Sequence, residues 1–243
     1  MTLRSGIFSK PLRAFCLLLA GQMLGATVSG KVFLADSRDP AVKKKRDFAG
    51  VVVWLEPLDG ARFPPAKKHV EMLQKNKMFH PHILAIQAGT TVDFPNLDPI
   101  FHNAFSNFEG QIFDIGLYPP GTSKSIRFDK AGVVRVFCNI HPQMSAVIVV
   151  VDSPFFAVSD EEGTYSLANV DAGRYELRFF HERATPETLQ RLARRITVDE
   201  SPVDLAQAVI SEAGYLPVAH KNKYGQDYPP NADQQHTYTN LAR

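Results

Sequence analysis

The richest chemistry in the chain sits in seven residues, Cys138-Asn139-Ile140-His141-Pro142-Gln143-Met144. A second histidine, His102, lies 36 residues before Cys138 in a stretch that reads as a loop leading into a strand. Thiolate, imidazole and thioether are soft-to-intermediate ligands that suit copper. Two histidines, one cysteine and a weak axial methionine are the donor set of a blue-copper electron-transfer centre. Zinc fits this set less well, because closed zinc sites are normally built from cysteine and histidine. Met144 has a plain alternative role as core packing at the start of the next strand, and Gln143 beside it offers an axial oxygen.

The start of the chain changes the meaning of the cysteine. Arg4, Lys10 and Arg13 precede an apolar run over residues 14–20, and small residues follow up to Ala26. That is a signal-peptide layout, with cleavage expected near Ala26 and a periplasmic or secreted location. The apolar run is too short to span a bilayer, so no transmembrane segment is expected in the mature protein. Cys16 lies within the run, which leaves Cys138 alone after processing. In an oxidising compartment a lone cysteine is buried and inert, joined to another chain, or bound to metal. His141 and Met144, three and six residues later, favour the metal.

Removing Arg4, Lys10 and Arg13 takes the formal charge from +2 to −1, so no strong overall field directs the chain to nucleic acid. The basic run Lys43-Lys44-Lys45-Arg46 is expected to be an exposed loop.

The elements that must position these residues are read as strands. Residues 28–35 and 51–56 are apolar and β-branched; residues 72–77 read as a strand followed by a turn. Residues 79–87 alternate, with Ile83, Ala85 and Gln87 on one face and His82, Leu84 and Ile86 on the other. Ala88-Gly89-Thr90 makes a turn into residues 91–94. Residues 123–128 and 132–138 read as two further strands, the second delivering Cys138 at its end, and residues 145–151 return into the core. Later, Thr185 caps a helix starting at Pro186, with Leu189, Leu192 and Ile196 at helical spacing and Arg191, Arg194 and Arg195 toward its C-terminal end.

Around His102-Asn103 and the Cys138–Met144 motif the sequence resembles the cupredoxins, among which plastocyanin and amicyanin are familiar members. The two-residue gap between His141 and Met144 is similar to the short amicyanin ligand loop. The flanks, notably Ser159-Asp160-Glu161-Glu162-Gly163-Thr164-Tyr165-Ser166-Leu167, resemble a carboxypeptidase-regulatory or transthyretin-like sandwich. The whole chain resembles proteins labelled methylamine utilisation protein. These resemblances imply an all-β chain: a Greek-key cupredoxin sandwich combined with a second, small transthyretin-like sandwich.

The expected organisation is a signal peptide over 1–26, N-terminal strands over 27–66, and a copper domain over 67–151. A sandwich portion with a short helix follows over 152–213, and a flexible polar tail over 214–243. The strands of 27–66 could complete the outer sandwich, making the copper domain an insertion; tandem domains are the rival arrangement.

By resemblance, His102, Cys138, His141 and Met144 hold one copper ion at a type 1 site. Asn103 then braces the cysteine loop from behind the ligands, or is an ordinary turn asparagine, and Pro142 stiffens the loop. The family commonly exposes the edge of the later histidine, which makes His141 the expected route for electrons. The implied function is a non-enzymatic, one-electron carrier whose transient partner is a c-type cytochrome or a dehydrogenase. The alternatives are copper delivery or sensing, or a binding sandwich stabilised by copper. His80, His82, Met72 and Met78 could form an auxiliary copper site, although surface alternation explains the histidines equally well.

Overall fold

The computed structural model describes residues 25–107, 110–217 and 219–229. Nearly all of the expected signal peptide, and the last part of the expected tail, lie outside these residues.

The strands β1 (Ala26–Ala35) and β2 (Val52–Pro57) come first. There follow β3 (His69–Glu71), β4 (Leu73–Lys75), β5 (Met78–His80), β6 (Ile83–Gln87), β7 (Thr90–Pro95), β8 (Phe105–Ser106) and β9 (Phe113–Asp114). Next come β10 (Ser123–Phe128), β11 (Gly132–Phe137) and β12 (Ser145–Val151). The chain continues through β13 (Phe156–Val158), β14 (Thr164–Val170), β15 (Gly173–Phe180), the helix α1 (Pro186–Leu192), β16 (Arg194–Val198), β17 (Val203–Asp204) and β18 (Ala208–Ser211). The fold is thus predominantly β, in several sheets.

Two sheets, ordered β10-β7-β3 and β6-β12-β11-β8-β9, enclose one core that includes Phe94, Phe128, Val136, Cys138, Met144 and Ile148. Two others enclose a second core. In one, β1 pairs with β14, β17 and β18; in the other, β2 pairs with β13 and β15. The first two described strands therefore hydrogen-bond to strands within β13–β18, with β3–β12 between them in sequence. The turn at Gly163 shows why that pairing needs its sequence. Gly163 has φ +76, and a Cβ there would meet the Val32 carbonyl oxygen at 2.2 Å. Only glycine lets β1 run this close to the turn.

The two units share a third apolar layer. In β12, Ala146, Ile148 and Val150 face the first core, while Val147, Val149 and Val151 join Val52 and Phe180 in a separate cluster. Both faces of β12 are therefore dry, which is why Ala146-Val147-Ile148-Val149-Val150-Val151 is a continuous apolar run. Ile83 and Ala85 of β6 and Trp54 of β2 pack against the same layer. Fully burying a valine, isoleucine or phenylalanine side chain in these layers contributes about 1.5–3 kcal/mol.

Three local readings are corrected by the structure. The alternating stretch 79–87 divides into β5 and β6, because β5 pairs with β4 while β6 pairs in parallel with β12. The helix stops at Leu192 rather than continuing to Ile196. Ala193 has an extended backbone (ψ 131), and the β-branched Ile196-Thr197-Val198 pair with β15. Thr185 caps the helix as expected, its side chain accepting from the Thr188 N–H at 3.3 Å. The basic run lies in a short helical turn, Ala41–Lys45, with the Arg46 guanidinium 5.9 Å from the Phe33 and Phe48 rings.

A polar contact also crosses between the units. His82 places Nδ1 3.0 Å from the Ser145 carbonyl and Nε2 2.9 Å from Glu182 Oε2. With an acceptor at each nitrogen, the doubly protonated ring fits best. The hydrogen bond to Glu182 raises the His82 pKa above 6.5, against the cost of burial. Burial works against the Glu182 carboxylate, but its bond to His82 and the nearby positive charges hold its pKa below 4.5. The histidine term is present below its unfolded pKa and fades as pH rises through the higher folded one. The glutamate term is present above its unfolded pKa and fades as pH falls through the lower folded one. The stability lost in Glu182→Gln should therefore be largest between pH 4.5 and 6.5. Its size should stay near or below about 1 kcal/mol, because His82 is half exposed and screened. Urea melts across pH measure this; a loss that does not vary with pH would refute the pairing.

Candidate metal centre

Strand register brings the site together. Phe137, the last residue of β11, pairs with Phe105 of β8 on one side and with Ser145 of β12 on the other. Cys138 follows Phe137 directly, Met144 precedes Ser145, and His102 lies three residues before Phe105. The loop between β11 and β12 is closed by the Cys138 N–H donating to the Met144 carbonyl (3.2 Å) and the Met144 N–H donating to the His141 carbonyl (3.0 Å). His102 is fixed by reciprocal backbone bonds with Tyr118, at 3.3 and 2.9 Å.

The donor atoms of His102, Cys138 and His141 all lie within 4.8 Å of one another, forming a cluster able to hold a metal ion. Cys138 Sγ is 3.5 Å from His141 Nδ1 and 3.9 Å from His102 Nδ1, and the two Nδ1 atoms are 3.1 Å apart. All three residues are fully buried. Bonds of about 2.0–2.1 Å to nitrogen and 2.3 Å to sulfur put donors on one ion roughly 3–4 Å apart. The spacing therefore fits an ion with little rearrangement. Met144 is also fully buried, in the same apolar cluster as Cys138.

Asp98 completes the arrangement on the far side of His102. Its Oδ2 is 2.8 Å from His102 Nε2. A carboxylate at Nε2 keeps the proton on that nitrogen and leaves the Nδ1 lone pair facing His141 and Cys138. The carboxylate also accepts the N–H of Asn76 (2.6 Å) and of Lys77 (2.8 Å). These two residues form the β4–β5 hairpin turn, both with positive φ. Burial works against an ionised Asp98, yet the bonds from Lys77, His102 and Asn76 hold its pKa below the ordinary value. The sequence reading missed Asp98. Its position four residues before a candidate ligand was the available signal, because ligating histidines regularly give their second N–H to a carboxylate.

Cys138 is in the opposite situation. Burial pushes its pKa up, and backbone N–H groups of Ile140, Asn103 and His141 aimed at the sulfur offset only part of that cost. Asn103 is placed where a brace would be: its Oδ1 accepts the Asn139 N–H (3.2 Å) and its Nδ2 donates to Asp114 Oδ1 (2.8 Å). Pro142 lies inside the closed loop, and its carbonyl is 2.6 Å from His220 Nε2.

Two expectations meet different geometry. His141 has no exposed edge, and the segment 219–229 lies against its loop. That segment belongs to the expected flexible tail, but over its described part it folds back onto the site. The residues of the imagined auxiliary site are also not brought together. Met72 is fully buried in the core and Met78 is exposed. His80 contacts the Lys75 carbonyl, whereas His82 is committed to Glu182.

No family model and no curated protein matches the chain. Among solved structures, a purple cupredoxin from Nitrosopumilus maritimus is similar at 24% identity over 33% of this chain and 98% of its own, with a TM-score of 0.31. A copper-containing nitrite reductase (NirK) from Thermus scotoductus is similar at 26% identity over 50% of this chain, with a TM-score of 0.34; only 28% of the reductase is covered. The reduced form of a tryptophan-to-tyrosine mutant of amicyanin is similar at 18% identity over 40% of this chain and 98% of its own, with a TM-score of 0.33.

Asp98→Asn should weaken Cu(II) binding by about 10–100-fold, because the second N–H of His102 loses its charged acceptor. Competition against a chelator reads this directly. Unchanged affinity in a folded variant would remove Asp98 from any role at the site.

Proposed function

We propose that this chain is an exported, non-enzymatic copper protein with a type 1 site that passes single electrons between protein partners. The observation that carries the proposal is the convergence of one Sγ and two Nδ1 atoms in a buried apolar core, with Met144 beside them. His102, Cys138 and His141 would hold the ion, and Met144 would supply a weak axial thioether. Copper there provides Cu(II)/Cu(I) cycling, tuned by the axial group and by the polarity around the sulfur.

The chain's own residues do the rest. Asp98 holds the His102 proton on Nε2, away from the metal side. The backbone N–H groups of Asn103, Ile140 and His141 favour the thiolate form of Cys138. The Cys138–Met144 loop, closed at both ends by backbone bonds, resists rearrangement between oxidation states, and the aromatic core excludes water. A c-type cytochrome or a dehydrogenase in the same compartment is the kind of partner this proposal needs. Among the described residues, no helix is long and apolar enough to cross a membrane.

A second reading, copper binding for sensing or structure without electron exchange, draws support from the complete burial of both imidazoles. One experiment separates the two. Stoichiometric Cu(II) added to the purified protein should produce a strong thiolate-to-copper visible band and a narrow copper hyperfine splitting by EPR. Ascorbate should bleach the band and oxidation restore it. Cys138→Ser should abolish the band. Met144→Leu should keep it but raise the reduction potential, because loss of the thioether disfavours Cu(II). A band that forms but does not recover over redox cycles would favour the second reading; its absence in a folded, copper-exposed protein would overturn the type 1 assignment.

A further inference from the structure

The segment 219–229 makes specific contacts with the loop that carries Cys138 and His141, and reaches the residue after His102 through Asp114. The His220 ring stacks on Phe137, with centroids 4.0 Å apart and planes 20° from parallel, and its Nε2 lies 2.6 Å from the Pro142 carbonyl. The Tyr228 hydroxyl donates to the Cys138 carbonyl at 2.8 Å. The two side chains also touch, His220 Nδ1 lying 3.4 Å from the Tyr228 hydroxyl. Phe137, Cys138 and Pro142 thus each receive a contact from this segment, and all lie within four residues of His141.

Lys223 closes a ring of hydrogen bonds. Its backbone N–H donates to Asn139 Oδ1 (3.0 Å) and its Nζ to Asp114 Oδ2 (2.7 Å). Asp114 accepts from Asn103 Nδ2, and Asn103 Oδ1 accepts from the Asn139 N–H. The ring links the residue after His102, the residue after Cys138, the end of β9 and the segment itself. A polar tail with no role at the site would not spend two aromatic side chains and a lysine on contacts with a single seven-residue loop and its neighbours.

We infer that His220, Lys223 and Tyr228 are positioning residues of the ligand loop, and that residues 219–229 are a built-in cover closing the donor cluster to solvent. His141, within the loop that the segment contacts, is fully buried. A partner then meets the segment before the imidazole, and solutes reach Cys138 only when the segment lifts. The inference concerns access to the donor cluster, so it is tested without metal and fails separately from the copper reading.

The test uses the full metal-free chain carrying Cys16→Ser, so that Cys138 is the only thiol. Alkylation of Cys138 by iodoacetamide should be at least tenfold faster in His220→Ala/Tyr228→Phe than in the parent. Gln226→Ala, at an exposed position of the same segment, should react at the parent rate. Hydrogen exchange on the parent provides an independent reading, in which the amides of 219–229 and 138–144 should be protected together and lose protection together in the double variant. Equal alkylation rates in parent and double variant, equal acceleration by Gln226→Ala, or exchange of 219–229 at the rate of a free peptide would each overturn the cover.

Discussion

The donor cluster depends on one register, that of Phe137. This residue is paired on both sides, with Phe105 and with Ser145, so the backbone just before Cys138 cannot shift without breaking two ladders. A one-residue slip in either ladder would reverse every side chain on that strand. It would turn Cys138 away from His102 or carry Met144 out of the core. The aromatic ring of Phe137 adds a second constraint, packing against Phe105 (centroids 5.9 Å apart) and under His220. The metal-ligating geometry is therefore a consequence of sheet pairing, and the loop only has to close a short gap between strands already held in place.

The strands are held from outside as well. β12 carries the return from Met144, and its two faces lie in two different apolar layers. A strand buried on both faces has no solvated side on which to relax, so movement of Ser145 must repack either the core around Cys138 or the layer shared with β2 and β15. His82 binds the Ser145 carbonyl from one side while its other nitrogen engages Glu182 of the outer unit. The outer sandwich thus bears on the start of β12, one residue beyond Met144. This is a physical reason for the chain to carry more structure than a single ligand-bearing sandwich requires.

The parts that were legible in the sequence were those with local causes. Cys138, His141 and Met144 share one loop, and their spacing is visible without any fold. Alternation correctly divided Ile83 and Ala85 from Leu84 and Ile86, because each set faces a different apolar layer. What the pattern concealed was long-range. Ile196 lies at helical spacing from Leu192, but β15 offered the Ile196-Thr197-Val198 run a ladder that outweighed helical continuation. Asp98 looks like a turn residue in Pro95-Asn96-Leu97-Asp98-Pro99, and its ionisation is explained by the approach of the Asn76-Lys77 turn together with His102. The segment around His220 is polar and lacks periodicity. Composition therefore suggested a free tail, whereas its partners are backbone carbonyls, two side-chain oxygens and one ring more than 75 residues away, which no local pattern encodes.

Charge gives the strongest argument linking these parts. A thiol buried as deeply as Cys138 holds its proton unless positive charge is placed beside it, and three backbone N–H groups do not suffice. The two Nδ1 lone pairs facing the sulfur provide no such charge by themselves, but they can anchor a cation that does. Under the copper reading, the Cys138 thiolate and the Asp98 carboxylate together balance a divalent ion, leaving the buried site neutral. Reduction then leaves one uncompensated negative charge in a region of low dielectric, where it is costly. Asp98 consequently favours the oxidised ion, and the surrounding apolar core and the cover over the His141 loop, which penalise net charge, pull the same way. The combination of one buried carboxylate with the dryness of its surroundings is therefore the property of this chain on which its reduction potential would depend.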